Sequence, residues 1–378
     1  MLSLRYQLNK KGVFLLLVIV SALAVGAFYG LPQFLIWKNL RDSGQEYRVI
    51  QLTHHSDEAY GHIPFAREIY DGHFPPGDLF FEDKTASLFG PFPFPYLIMA
   101  FFIKIAGGNI NLAYDLVHIV VPPVLFLLFF WLGYVLTRKK IWSLFCGLLG
   151  VLTPLAYHLP NAFRSLDNFG NIVAKNFYPG VVTLLPDLFL GRTMDPLLTY
   201  IIYLPAIISL IVFWRNPSFK NSFFLAVFGG LLFYTYFHYW VYFTIILVFV
   251  IISSFLTRKI EPKKFKSAIF MAAGLVVFTL PYWINIFRFR QIPWSDELVK
   301  HTTDITWGRF IYFLKPFPIV FDYLFYMVLA GLVYFVIYRK DKITAKLYWF
   351  CIGAMFVVWQ IQLITGYVPQ PDHWFRAV

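Results

Sequence analysis

The chain has 378 residues, 59% of them hydrophobic and 14% charged, with a formal net charge of +12. This composition excludes an ordinary soluble domain, which does not need so much apolar surface. The two cysteines lie in separate apolar runs and exclude a disulfide framework. Because the apolar runs are long and continuous, helices rather than barrel strands satisfy their backbone in lipid. The sequence therefore predicts an all-α polytopic membrane protein.

Nine transmembrane spans are predicted in chain order, beginning from a cytoplasmic N-terminus. The first is interpreted as an uncleaved span, because about 25 apolar residues exceed the apolar region of a signal peptide. The spans cover residues 12–36, 112–137, 141–158, 196–214, 222–238, 239–256, 267–287, 318–338 and 346–367. The residues after the ninth predicted span lie outside and are followed by no further predicted helix. We therefore expect further spans or a soluble domain beyond residue 378.

Short basic linkers separate alternate pairs of spans. With the N-terminus they hold 17 of the 32 Lys and Arg residues but only two acids, which leaves +15 on this side and −3 on the other. The positive-inside rule places the basic side in the cytoplasm, so the net charge reports topology and not nucleic-acid binding. Three long loops, 37–111, 159–195 and 288–317, then lie outside. We expect a multi-pass plasma-membrane protein with an extracytoplasmic active site.

The first outer loop concentrates titratable side chains in the stretch HHSDEAYGHIPFAREIYDG, residues 54–72. Pro64 predicts a kink or split near Ile63, and Gly72 predicts a helix stop. Paired carboxylates beside imidazoles suit the removal of a proton from an incoming hydroxyl. The candidates are Asp57 as general base or metal ligand, Glu58 beside it, and His54 and His55 as substrate contacts.

The apolar segment 91–106 lies between two outer stretches, so it does not cross the membrane. It predicts an interfacial or re-entrant helix, which requires protein or a cavity beside it. Together with the acidic stretch, it indicates a polar pocket that is open to the exterior and adjacent to lipid.

The order of these features resembles the GT-C superfamily of integral membrane glycosyltransferases. A first span precedes a large outer loop with an acidic pair, the segment AREIYDGHFPPGD (residues 66–78), a proline-rich return to the membrane and many closely spaced spans. The resemblance implies one GT-C-like domain over residues 1–378 and a donor sugar on polyprenyl or dolichyl phosphate. It implies inverting transfer to an acceptor hydroxyl and carries the catalytic acid onto Asp57.

Some members of that superfamily use a divalent cation, here Mg or Mn, for which Asp57, Glu58 and Asp195 are the candidate ligands. Candidate contacts to the donor or its phosphate are Arg67, Lys84, Arg192 and His238. Asp195 equally fits a cap before a helix starting at Pro196, and the aromatic residues around His238 fit an interfacial belt. At the start of the second span, Asp115 fits a cap, whereas His118 lies one turn deeper.

Other functions remain open from the sequence. A transporter or lipid flippase would place titratable groups halfway along the spans, where this chain has almost none. A non-catalytic membrane protein of the same fold is also consistent with one acidic pair. We expect membrane lipids and a lipid-linked sugar as partners, no nucleic acid, and an acceptor that the sequence does not specify.

Overall fold

The protein is seen in a computed structural model that describes residues 2–48, 61–76, 93–152, 189–257, 262–291, 305–307, 327–328, 331–332, 334–339, 341–360, 363 and 367–369. Five helices in this part of the chain are long and apolar enough to span a membrane. They are Gly12–Asp42, Ile110–Thr137, Thr193–Arg215, Phe237–Ser254 and Lys264–Arg290. The chain is therefore a helical membrane protein.

The chain forms two compact units, and the first comprises Met1–Ala156 and Pro160–Leu204. Its helices are α1 (Leu2–Asp42), α2 (Ile63–Tyr70), α3 (Pro93–Ile105), α4 (Ile110–Thr137) and α5 (Lys140–Leu152). A 3-10 turn, Phe189–Gly191, and a π-helical turn, Thr193–Leu198, precede α6 (Tyr200–Arg215), which continues into the second unit.

Helix α1 packs closely against α4 because two glycines face the contact. A Cβ atom at Gly26 would lie 2.9 Å from the Ile119 carbonyl oxygen and 3.0 Å from Pro123 Cγ. A Cβ atom at Gly30 would overlap Ile119 Cγ1. Small residues four apart let helix backbones approach in a membrane, where packing rather than the hydrophobic effect drives association.

Helix α5 also packs against α4 through a glycine, and it is hydrogen-bonded to α1. A Cβ atom at Gly147 would lie 3.1 Å from the Phe126 carbonyl oxygen. The fully buried Tyr29 hydroxyl donates a 2.6 Å hydrogen bond to the Val151 carbonyl near the end of α5. The last carbonyls of a helix have no partner within the helix, so this bond satisfies one of them.

The second unit comprises Tyr157–Leu159 and Pro205–Val378. Its elements after α6 are α7 (Phe219–Leu231), a 3-10 turn (Leu232–Tyr234), α8 (Phe237–Thr257), α9 (Pro262–Arg290), β1 (Ile305–Trp307), α10 (Lys342–Trp359) and β2 (Tyr367–Pro369). Arg215 at the end of α6 donates to Asp341 and Thr344 at the start of α10, at 2.9 and 2.5 Å.

Strands β1 and β2 form a two-stranded antiparallel ladder in which Thr306 is paired with Val368. This short ladder is an exception to the predicted all-α fold. It requires the segment after α9 and the segment after α10 to lie on the same side of a membrane. The predicted topology also has both segments on one side, the exterior.

Several predicted boundaries agree with the helices, and others need correction. The prediction of 112–137 corresponds to Ile110–Thr137, and 267–287 lies within Pro262–Arg290. The ninth predicted span, 346–367, is too long, because α10 ends at Trp359 and Tyr367 belongs to β2. Residues 153–158 and most of 318–338 lie outside the described residues, and nine spans therefore remain a prediction.

Substituting Gly30 tests the close approach of α1 and α4. We expect Gly30→Ala to destabilise the protein by about 1–3 kcal/mol, because the new methyl group meets the conformationally stiff Ile119. The matched control is Gly12→Ala on the same helix, where a Cβ atom would have no neighbour within 4 Å. The midpoints of thermal unfolding are measured for both variants in detergent. Equal midpoints for the two would contradict the proposed packing.

Candidate functional site

A helical hairpin supports the candidate site in the first unit. Helices α3 and α4 pack together and are joined by the turn Ala106–Asn109, in which Gly107 and Gly108 have φ of 63° and 87°. The Asn109 side chain accepts a 3.1 Å bond from the Leu112 N–H and caps α4, so Asp115 is not the cap. Helix α3 has 13 residues, about 20 Å, which is short of the ~30 Å of a bilayer core.

Helix α2 packs on α3 through its buried residues Ile63 and Ala66, and Phe65 stacks on Tyr96 with ring centroids 5.3 Å apart. Pro64 lies in the first turn of α2, where its missing N–H costs no hydrogen bond. The kink or split predicted near Ile63 stays a prediction, because residues 49–60 lie outside the described residues. Helix α2 ends in a Schellman motif at Gly72, which has φ of 99°, as predicted.

Arg67 connects α2 to the hairpin turn. Its guanidinium pairs with Asp71 at 2.8 Å, donates to the Gly108 carbonyl at 3.3 Å and lies over the Tyr70 ring at 4.8 Å. These contacts give Arg67 a structural role. Its predicted contact to a phosphate remains a prediction and would have to share the same guanidinium.

His62 precedes α2, and its side chain reaches α3 instead of capping its own helix. Nδ1 of His62 lies 2.9 Å from the Tyr96 hydroxyl. Tyr96 is buried, with only 2% of its surface exposed. Burial raises the pKa of Tyr96 above its usual range. The phenol therefore stays protonated and remains a hydrogen-bond donor.

A carboxylate lies near the start of α4 and is held by the chain that follows α1. The Tyr47 hydroxyl donates a 2.8 Å hydrogen bond to Asp115 Oδ1. Burial, followed by the charge of Asp115, raises the pKa of Tyr47 far above its usual range. This bond connects the segment that follows α1 to the hairpin.

His118 lies one turn further along α4 and is 2% exposed. Its Nδ1 is 3.0 Å from the Tyr114 carbonyl, and its Nε2 is 3.5 Å from the Gly191 carbonyl. Because carbonyls only accept, a neutral ring donates to one of them, and the shorter contact to Tyr114 takes the proton. His118 thus packs α4 against the segment that carries Arg192.

The segment that carries Arg192 and Asp195 is irregular. Asp195 is extended, with φ of −141° and ψ of 118°, and it precedes a cis peptide bond to Pro196. The interpretation of Asp195 as the cap of a helix starting at Pro196 is therefore wrong, because the α-helix begins at Tyr200. Both Arg192 and Asp195 are half-buried.

One further candidate, His238, lies in a different unit of the chain. His238 belongs to the second unit, is 1% exposed and has its ring 3.8 Å from that of Phe237. The other predicted site residues lie outside the described residues and are Asp57, Glu58, His54, His55 and Lys84.

A metal site was tested on the residues that are described. Among them, no three His, Cys, Asp or Glu side chains lie close enough together to hold an ion. Asp195 therefore does not form a metal site with its described neighbours. The described residues by themselves do not supply the ligands of a divalent cation.

The described groups of the first unit can perform hydrogen-bond and charge chemistry. They supply a half-buried carboxylate, Asp115, an oriented imidazole, His62, and a half-buried guanidinium, Arg192. Comparison with known proteins adds no assignment, because no protein-family model, curated protein or solved structure matches the chain.

The sequence interpretation missed His62, Tyr96 and Tyr47 as site residues. His62 was within the titratable stretch, but its partner lies 34 positions away and has no motif. Tyr47 and Asp115 are 68 positions apart. The sequence signal for Asp115 was its position as a polar residue near the start of a predicted span. No neighbouring residue indicated that Tyr47 is its partner.

Removing the Tyr47 hydroxyl tests its hydrogen bond to Asp115. We expect Tyr47→Phe to lower stability by about 1.5–3 kcal/mol, because a bond to a charged acceptor is lost in a half-buried place. Tyr134→Phe is the control, since that exposed phenol on α4 has no hydrogen bond to any described residue. The midpoints of thermal unfolding of both variants are compared in nanodiscs. An unchanged midpoint for Tyr47→Phe would contradict the hydrogen bond to Asp115.

Proposed function

We propose that the chain is a GT-C-like membrane glycosyltransferase that uses a sugar donor on a polyprenyl phosphate. One observation carries the proposal. In the five described spans, every Asp, Glu, Lys and Arg lies within five residues of one end. Translocation of a polar substrate requires titratable groups near the midplane, whereas transfer at the membrane surface requires them at the ends.

The hairpin of α3 and α4 supports the assignment of Asp57. Asp57 precedes His62 by five residues, and five residues of extended chain reach at most about 18 Å. His62 is fixed on Tyr96. Chain connectivity alone keeps Asp57 within this distance of His62, and we propose that the acidic pair acts beside this hairpin.

In the proposed reaction, Asp57 takes the proton from the acceptor hydroxyl as its oxygen attacks the anomeric carbon of the sugar. The bond between that carbon and the phosphate oxygen breaks, and its electron pair leaves with the polyprenyl phosphate. Attack opposite the leaving group inverts the anomeric centre. Arg192 and Lys84 are the proposed cations for the phosphate charge, and Glu58 assists beside the base.

We place this chemistry on the extracytoplasmic face of the plasma membrane. The basic linkers lie on the other side by the positive-inside rule. The donor is then a membrane lipid that approaches from the bilayer, and the acceptor hydroxyl approaches from outside. His54 and His55 are proposed to contact the substrate, and His238 remains a candidate contact in the second unit.

Replacing the proposed base tests the enzyme function. We expect Asp57→Asn to reduce sugar transfer by about 10²–10⁴-fold, because the amide cannot accept the proton. The control is Asp296→Asn, which alters a different acidic pair in an outer loop, Asp296 and Glu297. The assay uses purified protein in liposomes with radiolabelled undecaprenyl-phosphate-linked hexoses and pentoses and a cell-envelope extract as the source of acceptor hydroxyls. It measures release of undecaprenyl phosphate.

Full activity in Asp57→Asn would exclude the mechanism. If no donor in the panel is consumed and the same liposomes move a labelled lipid between leaflets, the flippase interpretation replaces the glycosyltransferase. Loss of activity in both variants together would show that the outer acids act through general charge and would also contradict the role of Asp57.

A further inference from the structure

The connection between α4 and α5 points its side chains away from the protein. Helix α4 ends at Thr137 and α5 begins at Lys140, and every residue in 137–142 is exposed. The backbone of the connection is satisfied locally, since the Ser143 hydroxyl donates to the Lys139 carbonyl at 2.7 Å. The turn therefore does not use its three cationic side chains, which we call the cationic turn: Arg138, Lys139 and Lys140.

The backbone conformation of Arg138 is unfavourable for an arginine. Its φ of 58° and ψ of 13° lie in the left-handed region, and in the described part of the chain every other residue with a positive φ is a glycine. The Cβ atom crowds the backbone in this conformation, which glycine adopts freely. Glycine is also the usual residue at a helix end of this kind. The geometry of the turn thus does not explain why an arginine is present.

No carboxylate in the described structure neutralises the cationic turn. Among the described residues, none of its three side chains forms an ion pair, whereas Arg215 in another basic linker is bonded to Asp341 at 2.9 Å. The stretches 1–41 and 116–166 contain no Asp or Glu. The positive charge of the turn is therefore available to a ligand from outside the protein.

The start of α1 adds two lysines beside the cationic turn. Nζ of Lys140 lies 5.1 Å from the centre of the Phe14 ring, and that ring is 6.1 Å from the ring of Phe130 on α4. Lys10 and Lys11 lie about one helical turn before Phe14 on α1. Five cations from three packed helices thus belong to one surface.

Exposed apolar and aromatic side chains border this surface. Ile141, Trp142 and Phe145 on α5 are all exposed, as is Tyr134 on the last turn of α4. Tryptophan and tyrosine favour the boundary between the hydrocarbon and the headgroups of a bilayer. The cations that follow them along the chain therefore lie at the level of the lipid phosphates.

We propose that the cationic turn, together with the start of α1, binds the headgroup of an anionic phospholipid. The planar guanidinium of Arg138 donates to two phosphate oxygens at once, and the lysines balance the remaining negative charge. The acyl chains lie along the exposed apolar side chains of α5. The inference does not rest on the proposed glycosyltransferase function, and the predicted topology assigns this lipid to the cytoplasmic leaflet.

Removal of two cations tests the site. Native mass spectrometry of the full chain in detergent gives the dissociation constant of the first phosphatidylglycerol that binds. We expect Arg138→Gln combined with Lys139→Gln to weaken this binding by about 10-fold to 50-fold, because each cation near an anionic headgroup contributes to the affinity.

The matched control removes the same amount of charge from the second unit. Lys220→Gln combined with Lys266→Gln alters two exposed lysines near other basic linkers and should bind phosphatidylglycerol as the unchanged protein does. Equal losses in the two double variants would show that the lipid responds to general charge and would overturn the inference.

Two substitutions of Arg138 separate the turn from its charge. We expect Arg138→Gly to raise the midpoint of thermal unfolding, because glycine adopts the left-handed conformation without crowding, and to weaken phosphatidylglycerol binding by about 5-fold. Arg138→Lys keeps the charge and should retain most of the affinity. Full affinity in a folded Arg138→Gly protein would contradict the proposed contact to the phosphate.

Phosphatidylethanolamine is the comparison lipid, because it carries the same phosphate with a compensating ammonium group. We expect the unchanged protein to bind it at least about 10-fold more weakly than phosphatidylglycerol, since the cationic surface repels the ammonium. Equal affinity for the two lipids would show that the surface contacts any bilayer lipid and would overturn a site for an anionic headgroup.

Discussion

The close contact between α1 and α4 determines the arrangement of the first unit. Gly26 and Gly30 leave no side chain between the helices, so Ile119 and Pro123 lie directly against the α1 backbone. In lipid this packing replaces the hydrophobic effect as the source of association. Because α3 continues through a four-residue turn into α4, the same contact sets the position of the hairpin on which α2 packs.

Polar groups in this unit are concentrated where helices end or connect. The Asp115 carboxylate is bonded to Tyr47 near the start of α4, and the His62 ring is bonded to Tyr96 near the start of α3. Buried polar atoms need such partners because lipid supplies none. Each bond joins segments far apart in sequence, so the same contacts that satisfy polar atoms also shape the candidate site.

The sequence predicted features with a local cause and missed those with a distant one. The long apolar spans and the stop at Gly72 follow from chain chemistry alone. The end of α10 at Trp359 and the extended Asp195 contradicted local propensity. Pairs such as Tyr47 and Asp115 depend on tertiary packing, which no single-sequence pattern contains.

The central claim is that a polyprenyl phosphate lies against the α2–α3–α4 region of the first unit. Photo-cross-linking of the protein in nanodiscs with a diazirine analogue of undecaprenyl phosphate, mapped by mass spectrometry, tests it directly. The account predicts that excess undecaprenyl phosphate suppresses labels in peptides containing α2, α3 or the start of α4. Specific labels found only in the second unit, or only in the basic linkers, would contradict it.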